Sequence, residues 1–370
     1  MMPDAPLHTA PASTAATAPV RLKTLDRAGL EAFAESLGQP AYRGRQLFKW
    51  LYQKGATDFA AMSDLPKALR ARLEQTATLD TIRLDRLQTA SDQTAKGLFT
   101  LPSGRQIEAV LIPDFDDATG EVRRLTVCVS SQVGCAMGCT FCATGLMGFR
   151  QNLTAGEIFD QVWQMNRLAE ERFGKRITNV VYMGMGEPLL NYENVLRSLD
   201  LLTHPDGFGL APRRITVSTV GLARRIKQLA HDAPRVNLAV SLHAPTDPKR
   251  SSIMPVNRSE ATDLTALREA IRYYTATTGT GVTYEYCMFH GVNDTDADAR
   301  HLAEVVRWAP SKVNLIMYNP VEGLGFTRSR EDRLNRFIRI LVEEGVTVTV
   351  RRSRGQDIDA ACGQLAVKAS

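Results

Sequence analysis

The sequence predicts an α/β fold: a partial or near-closed (β/α) barrel, preceded by a small N-terminal helical domain and a β-hairpin connector. Three observations carry this. From about residue 123, seven short runs rich in Val, Ile and Thr end in small or polar residues: "RLTVCVSS", "ITNVVYMG", "RITVSTVG", "VNLAVSLH", "GVTYEYCMF", "KVNLIMYN" and "VTVTVRRS". Helical patterns separate most of them, and strands alternating with helices make a parallel sheet with helical crossovers. Upstream the period is different, helical first and then strand-like. Six or more strand–helix units favour a barrel over an open sheet, which places the working face at the C-terminal ends of the strands.

Taken in order, residues 1–24 are expected to be a disordered Ala/Pro/Thr-rich tail. Residues 25–78 form the helical domain: "GLEAFAESL" sets Leu30, Phe33, Ala34 and Leu37 at helical spacing, "YRGRQLFKWLYQKG" reads as a second helix ending at Gly55, and "LPKALRARLEQTA" as a third. In the connector, residues 79–122, "KGLFTLPSGRQIEAVLIP" holds two strand-like runs around Pro102-Ser103-Gly104, a hairpin pattern. The barrel takes residues 123–366, with helices at "TAGEIFDQVWQMNRLAEERF", "YENVLRSLDLLT", "ATDLTALREAIRYYTATT" and "DRLNRFIRILVEEG". Thr154 is placed to cap the first of these.

A chain of 370 residues with 44% hydrophobic and 23% charged residues is expected to be globular, large enough to fold without disulfide staples. It holds no run of about 18 apolar residues, the length a membrane helix needs. "MMPDAPLHTAPASTAATAPV" lacks a basic-then-apolar leader, so a cytoplasmic protein with reduced thiols is expected. The net charge of +5 permits a polyanionic partner without requiring one.

Against that background, "SSQVGCAMGCTFCATG" groups three of the six cysteines, Cys135, Cys139 and Cys142, in a glycine-containing loop after the first barrel strand. Clustered thiols in a reducing compartment bind metals more often than they form disulfides. Two readings fit the C-x3-C-x2-C spacing. Three thiolates can hold an iron-sulfur cube with one iron left open to a small chelating molecule. Alternatively, a zinc ion is completed by a distant His243 or His290. Glycines 134, 138 and 145 are expected to let the loop backbone approach the bound group.

This spacing at this place in an apparent barrel resembles the radical S-adenosylmethionine (SAM) superfamily. Over about residues 25–366 the chain resembles the RlmN group of dual-specificity adenine-C2 RNA methyltransferases, through "YRGRQLFKWLY", "RQIEAVLIP", "CVSSQVGCAMGCTFCATG", "VYMGMGEPLLN", "VSLHAP", "YNPVEG" and "GQDIDAACGQL". The resemblance implies one 4Fe-4S cluster on Cys135, Cys139 and Cys142, with SAM on the open iron and two SAM molecules used per turnover. It implies that Cys362 carries an S-methyl group whose radical adds to adenine C2. Cys128 is then the thiol that resolves the adduct through a Cys128–Cys362 disulfide, and Glu108 the proton acceptor. Gly186, Glu187, Ser218, Ser241, Leu242, His243 and Asn319 match the group's SAM contacts.

Each of these residues also has a plainer reading. Cys128 and Cys362 could be buried small hydrophobes, and Glu108 the wet face of an alternating strand. Arg351, Arg352 and Arg354 could act on the Cys362 thiol, hold RNA phosphate, or simply be solvated. Cys287 is expected in the core. In "YRGRQLFKWLYQKG", Arg43, Arg45, Lys49 and Lys54 interleave with Tyr42, Phe48, Trp50 and Tyr52; RNA stacking fits, but for the aromatics an ordinary amphipathic helix fits better. The implied partners are 23S rRNA at adenosine 2503, adenosine 37 of certain tRNAs, and an electron donor such as a flavodoxin system. No membrane is implied, and a monomer is expected. The nearest alternatives are a Cfr-type enzyme acting at adenine C8 and a zinc-stabilised RNA-binding protein.

Overall fold

A computed structural model describes residues 18–79, 82–259 and 261–367. Its framework is one ten-stranded sheet. In chain order the strands are β1 Arg83–Thr89, β2 Ala95–Thr100, β3 Gln106–Phe115, β4 Val122–Cys128, β5 Asn179–Tyr182, β6 Ile215–Thr219, β7 Asn237–Ser241, β8 Val282–Met288, β9 Ser311–Met317 and β10 Val348–Arg351. They lie side by side in that order. Strands β4 to β10 are parallel, and β1 to β4 pair antiparallel. All seven predicted barrel runs are strands of the parallel half.

The sheet does not close, since β10 and β1 are its two ends. It does curl: Arg351 at the end of β10 reaches Met183, just past β5, with Nη1 3.6 Å from Sδ. The architecture is therefore a partial barrel. The connector is not a separate layer, because β3 pairs with β4 from Val110↔Cys128 to Phe115↔Val122. The hairpin at Pro102-Ser103-Gly104 forms as read, with Leu101 N–H donating to Arg105 O at 2.8 Å and Gly104 at φ +79°. Strand β1 had no apolar alternation to announce it; most of its residues are exposed.

The helical domain comprises α1 Arg27–Ser36, α2 Tyr42–Tyr52 and α3 Lys67–Thr76. Leu30, Leu47, Phe48, Leu51, Tyr52, Leu69 and Leu73 form its core. The plainer reading of α2 holds for two aromatics, Phe48 and Tyr52, which are buried, while Tyr42 is exposed. Residues 1–17 of the expected tail lie outside the described residues. Its last residues are packed rather than loose: Val20–Arg21 pair with Ala77–Thr78, and Lys23 is buried against Asp160 with Nζ 2.5 Å from Oδ1.

The crossovers of the barrel are α4 Ala155–Phe173, α5 Tyr192–Thr203, α6 Ala223–Asp232, α7 Asp247–Ile253, α8 Leu264–Thr278, α9 Asp296–Val306 and α10 Glu331–Glu343. Thr154 caps α4 in a reciprocal box: its hydroxyl accepts from Glu157 N–H, and the Glu157 carboxylate accepts from Thr154 N–H. Helices α6, α7 and α9 add to the four predicted. No helix among the described residues is long and apolar enough to cross a membrane.

Candidate functional site

The C-terminal ends of the parallel strands surround a cavity of about 960 Å³, its open mouth included. Cys135, Cys139 and Cys142 line it together with Gly186, Glu187, Ser218, Ser241, His243, Glu285, Cys287 and Cys362. The three-thiol loop is closed at its base by Gln132–Val133 pairing with Gln151–Asn152. Gly134 stands at φ +71°, and a Cβ there would lie 1.8 Å from Gly148 O. A Cβ on Gly145 would lie 2.9 Å from Cys139 O, while Gly138 faces open space. Gly134 and Gly145 therefore make room for the loop's own backbone, which corrects the expectation that they make room for a bound group.

The thiols are ill suited to carry charge unaided. Burial pushes Cys135 up to about 12, and both burial and the neighbouring thiols push Cys139 up. Thiolates here need a cation beside them, as an iron-sulfur cluster supplies. Among the described residues, no three His, Cys, Asp or Glu side chains converge as ligands of a single metal ion. Neither histidine considered as a fourth zinc ligand is poised for that role. His243 Nδ1 accepts from Cys287 N–H at 3.0 Å, so in the neutral ring Nε2 carries the proton. Burial pushes its pKa down to about 3. His290 is half exposed and lies 3.6 Å from Asp294 Oδ2, away from the cavity wall.

Glu187 follows β5 in a turn that Gly186 makes possible, with φ +99° and a would-be Cβ 2.5 Å from Gln132 Cβ. Its buried carboxylate accepts from Leu189 N–H at 3.0 Å and Val220 N–H at 2.9 Å, and burial pushes its pKa up to about 7. An ammonium group in the cavity would restore its ionised form. Ser218, one residue before the end of β6, and Ser241, the last of β7, have their hydroxyls 3.5 Å apart. The Leu242 side chain is in the core, off the wall; its carbonyl accepts from Arg250 Nε at 3.3 Å. Asn319 also stands outside this cavity, its amide 3.5 Å from Cys362 O.

Cys362 is brought in by a C-terminal segment stitched to the thiol loop. Ala143 N–H donates to Gly363 O at 2.9 Å, and Thr144 Oγ1 to Leu365 O at 2.5 Å. Arg351 Nη1 lies 3.9 Å from Cys362 Sγ. Cys128, buried at the end of β4, is pushed up to about 12 by burial and by Cys362, while Arg351 acts the other way. The two cysteines thus share one electrostatic neighbourhood across 234 positions of sequence.

Glu108 lies on β3, off the cavity wall, and both of its oxygens are engaged. Oε1 is 3.2 Å from Lys96 Nζ, and Oε2 accepts from Ala366 N–H at 3.0 Å. Lys96 Nζ also donates to Asp359 O at 3.2 Å. The buried Lys96–Glu108 pair therefore clasps the Cys362 segment on both flanks. Burial raises the Glu108 pKa while Lys96 and Ala366 oppose the rise.

Cys287 is in the core as expected, packed with Phe141, Phe289 and Ile316, and it also borders the cavity. Glu285, which sequence reasoning passed over, also faces the cavity and accepts from Asn314 Nδ2 at 2.7 Å. A glutamate inside the strand "VTYEYCM" was the available sign. Of the cations in and just after α2, Arg45 pairs with Glu31 at 3.5 Å, Lys49 with Asp206 at 3.1 Å, and Lys54 sits 3.7 Å over the Trp50 ring.

The chain is similar to known proteins over most of its length. Residues 20–79 match the ribosomal RNA large subunit methyltransferase N-terminal domain, and residues 129–303 the radical SAM superfamily. A probable dual-specificity RNA methyltransferase RlmN of Salinibacter ruber is 64% identical over 347 residues, covering 94% of both chains. The dual-specificity RNA methyltransferase RlmN of Geobacter sulfurreducens is 46% identical, over 94% of this chain and 92% of its own. The crystal structure of a radical SAM methyltransferase from Sphaerobacter thermophilus superposes with a TM-score of 0.87 at 46% identity, covering 95% of this chain and 100% of the other.

Proposed function

The chain belongs to the RlmN family of radical SAM RNA methyltransferases, and from that membership we propose that it forms 2-methyladenosine at position 2503 of 23S rRNA and at position 37 of certain tRNAs. The observation that carries the reading is Cys362, held by the thiol loop in the same cavity as Cys135, Cys139 and Cys142. Those three thiols are the proposed cluster ligands. Glu187, with Gly186, Ser218, Ser241 and His243, is proposed to receive SAM, the Glu187 carboxylate meeting its ammonium group; Asn319 and the Leu242 backbone belong to the same proposed set. When bound, the cluster and two SAM molecules per turnover supply a methyl group and a 5'-deoxyadenosyl radical.

Cys362 takes the methyl group and loses a hydrogen atom from it to the 5'-deoxyadenosyl radical; the resulting carbon radical adds to adenine C2, and the adduct radical gives up one electron to the redox chain that supplied it. Arg351 faces its sulfur. Glu108 is proposed to accept the C2 proton; a raised pKa suits that task. The Cys128 thiolate then attacks the Cys362 sulfur and breaks its bond to the one-carbon unit, whose electron pair takes up a proton to complete the methyl group, so that methylated RNA leaves and a disulfide remains to be reduced. The protein is proposed to work as a cytoplasmic monomer fed by an electron donor such as a flavodoxin system. The test is anaerobic reconstitution, reaction with SAM and a 23S rRNA fragment carrying the target loop, and nucleoside mass spectrometry. The expected products are 2-methyladenosine and 5'-deoxyadenosine; 8-methyladenosine would replace this reading with the Cfr-type one.

A further inference from the structure

A second, smaller cavity of about 340 Å³, its open mouth included, is also lined by Cys362. Asn319, Arg351, Ser353 and Arg354 supply its polar lining, and Ile112 and Ile316 are among its apolar lining. Cys362 lines both cavities, whereas none of the three loop thiols lines this one. Its chemistry is one-sided. Two arginines, a serine and an asparagine line it, with no carboxylate among the lining residues.

Two further observations point to an anion. The Ser353 hydroxyl is sealed from solvent and has no hydrogen-bond partner, which a buried polar group rarely tolerates. The charge around the pocket is also unbalanced. Asp114 alone serves three arginines: Arg123 at 2.7 Å, Arg124 at 3.3 Å and Arg354 at 4.0 Å. Asp116 and Asp117 act on Arg123, and Glu285 acts on Arg351 from the main cavity. Arg354 has only its distant share of Asp114 among the ion pairs of the described residues.

We propose that this pocket binds a phosphodiester of the RNA beside the nucleotide presented to Cys362, a role that rests on the RNA methyltransferase reading. A SAM carboxylate shares the chemistry, and Asn319 of the proposed SAM set lines this pocket, but Gly186, Glu187, Ser218, Ser241 and His243 line the other cavity, and Cys362 lines both. Phosphate contacts fix register without reading sequence. Here they would anchor the backbone while the adenine is turned towards the sulfur.

The test measures fluorescence anisotropy of a labelled 23S rRNA fragment carrying the target loop, titrated with reconstituted full-length protein from about 50 to about 200 mM salt. Arg354→Gln is expected to weaken binding about tenfold and to lower the magnitude of the salt slope by about one. Ser353→Ala is expected to weaken binding by less and to leave the slope unchanged, since the hydroxyl is neutral. Both variants should methylate Cys362 from SAM, without RNA, at the wild-type rate. Unchanged RNA affinity and slope in Arg354→Gln would overturn the proposal while leaving the methyltransferase reading intact. So would slowed Cys362 methylation with unaltered RNA binding, which would assign the pocket to the cofactor. Failure of the wild-type protein to bind the RNA would remove the underlying reading and this proposal with it.

Discussion

Lys96→Met should loosen the Cys362 segment from both sides. The Lys96 and Glu108 side chains are 8% and 7% exposed, so the ion pair is shielded from water. Removing the ammonium leaves Glu108 with only the Ala366 N–H at 3.0 Å and takes away the bond to Asp359 O. Breaking a buried pair from one side costs about 3–5 kcal/mol when the remaining charge persists. Glu108 can escape part of that cost by taking up a proton, because burial already raises its pKa and Lys96 opposes the rise. With a folded-state pKa above the unfolded one, the variant is most stable at low pH and loses stability as pH rises through the folded value. The deficit against wild type should therefore be small near pH 4.3, the ordinary glutamate value, and approach about 3 kcal/mol near pH 8. Urea denaturation at both pH values measures this. Cys362 methylation without RNA should slow in parallel, and Lys96→Met with Glu108→Gln should cost less than the two single changes summed. A pH-independent deficit, or strictly additive effects, would refute the clasp.

Three more outcomes follow from the same geometry. Cys128→Ala should accumulate a covalent RNA–protein adduct, seen as a shifted band that survives denaturation; clean turnover would remove Cys128 from the resolving role. Gly134→Ala forces a Cβ to within 1.8 Å of Gly148 O at φ +71°, so iron bound per chain after reconstitution should fall sharply. Glu187 has its pKa raised to about 7, so cofactor-free protein should lose stability as pH rises towards and through 7. Glu187→Gln removes that slope, although it also loses one buried hydrogen bond at every pH; thermal melts from pH 5 to 8 compare the two.

The parallel half of the sheet was legible because β4 to β10 are short runs rich in Val, Ile and Thr with polar ends, even where, as in β10, no residue is fully buried. The α4 cap was legible because Thr154 and Glu157 stand three apart. Strand β1 was not, since an exposed edge such as "RLDRLQT" shows no alternation. The side of the sheet a residue faces was harder still. Cys287 lies in a strand buried along nearly its whole length, so its core place was legible while its second role as a border of the cavity was not. Contacts such as Glu108 with Ala366, 258 positions apart, leave no local pattern. Arg351 stood out as a basic residue near Cys362, but its neighbours Arg352 and Arg354 looked the same in sequence; the structure alone brings its guanidinium to the sulfur.

The most direct test of the central claim is to follow the methyl group. Reconstituted protein would be given SAM carrying a deuterated methyl group, without RNA, then digested and mapped by mass spectrometry. The account predicts the label on Cys362 and its appearance in 2-methyladenosine once RNA and electrons are supplied. An unlabelled Cys362 in protein that nonetheless methylates RNA would contradict it.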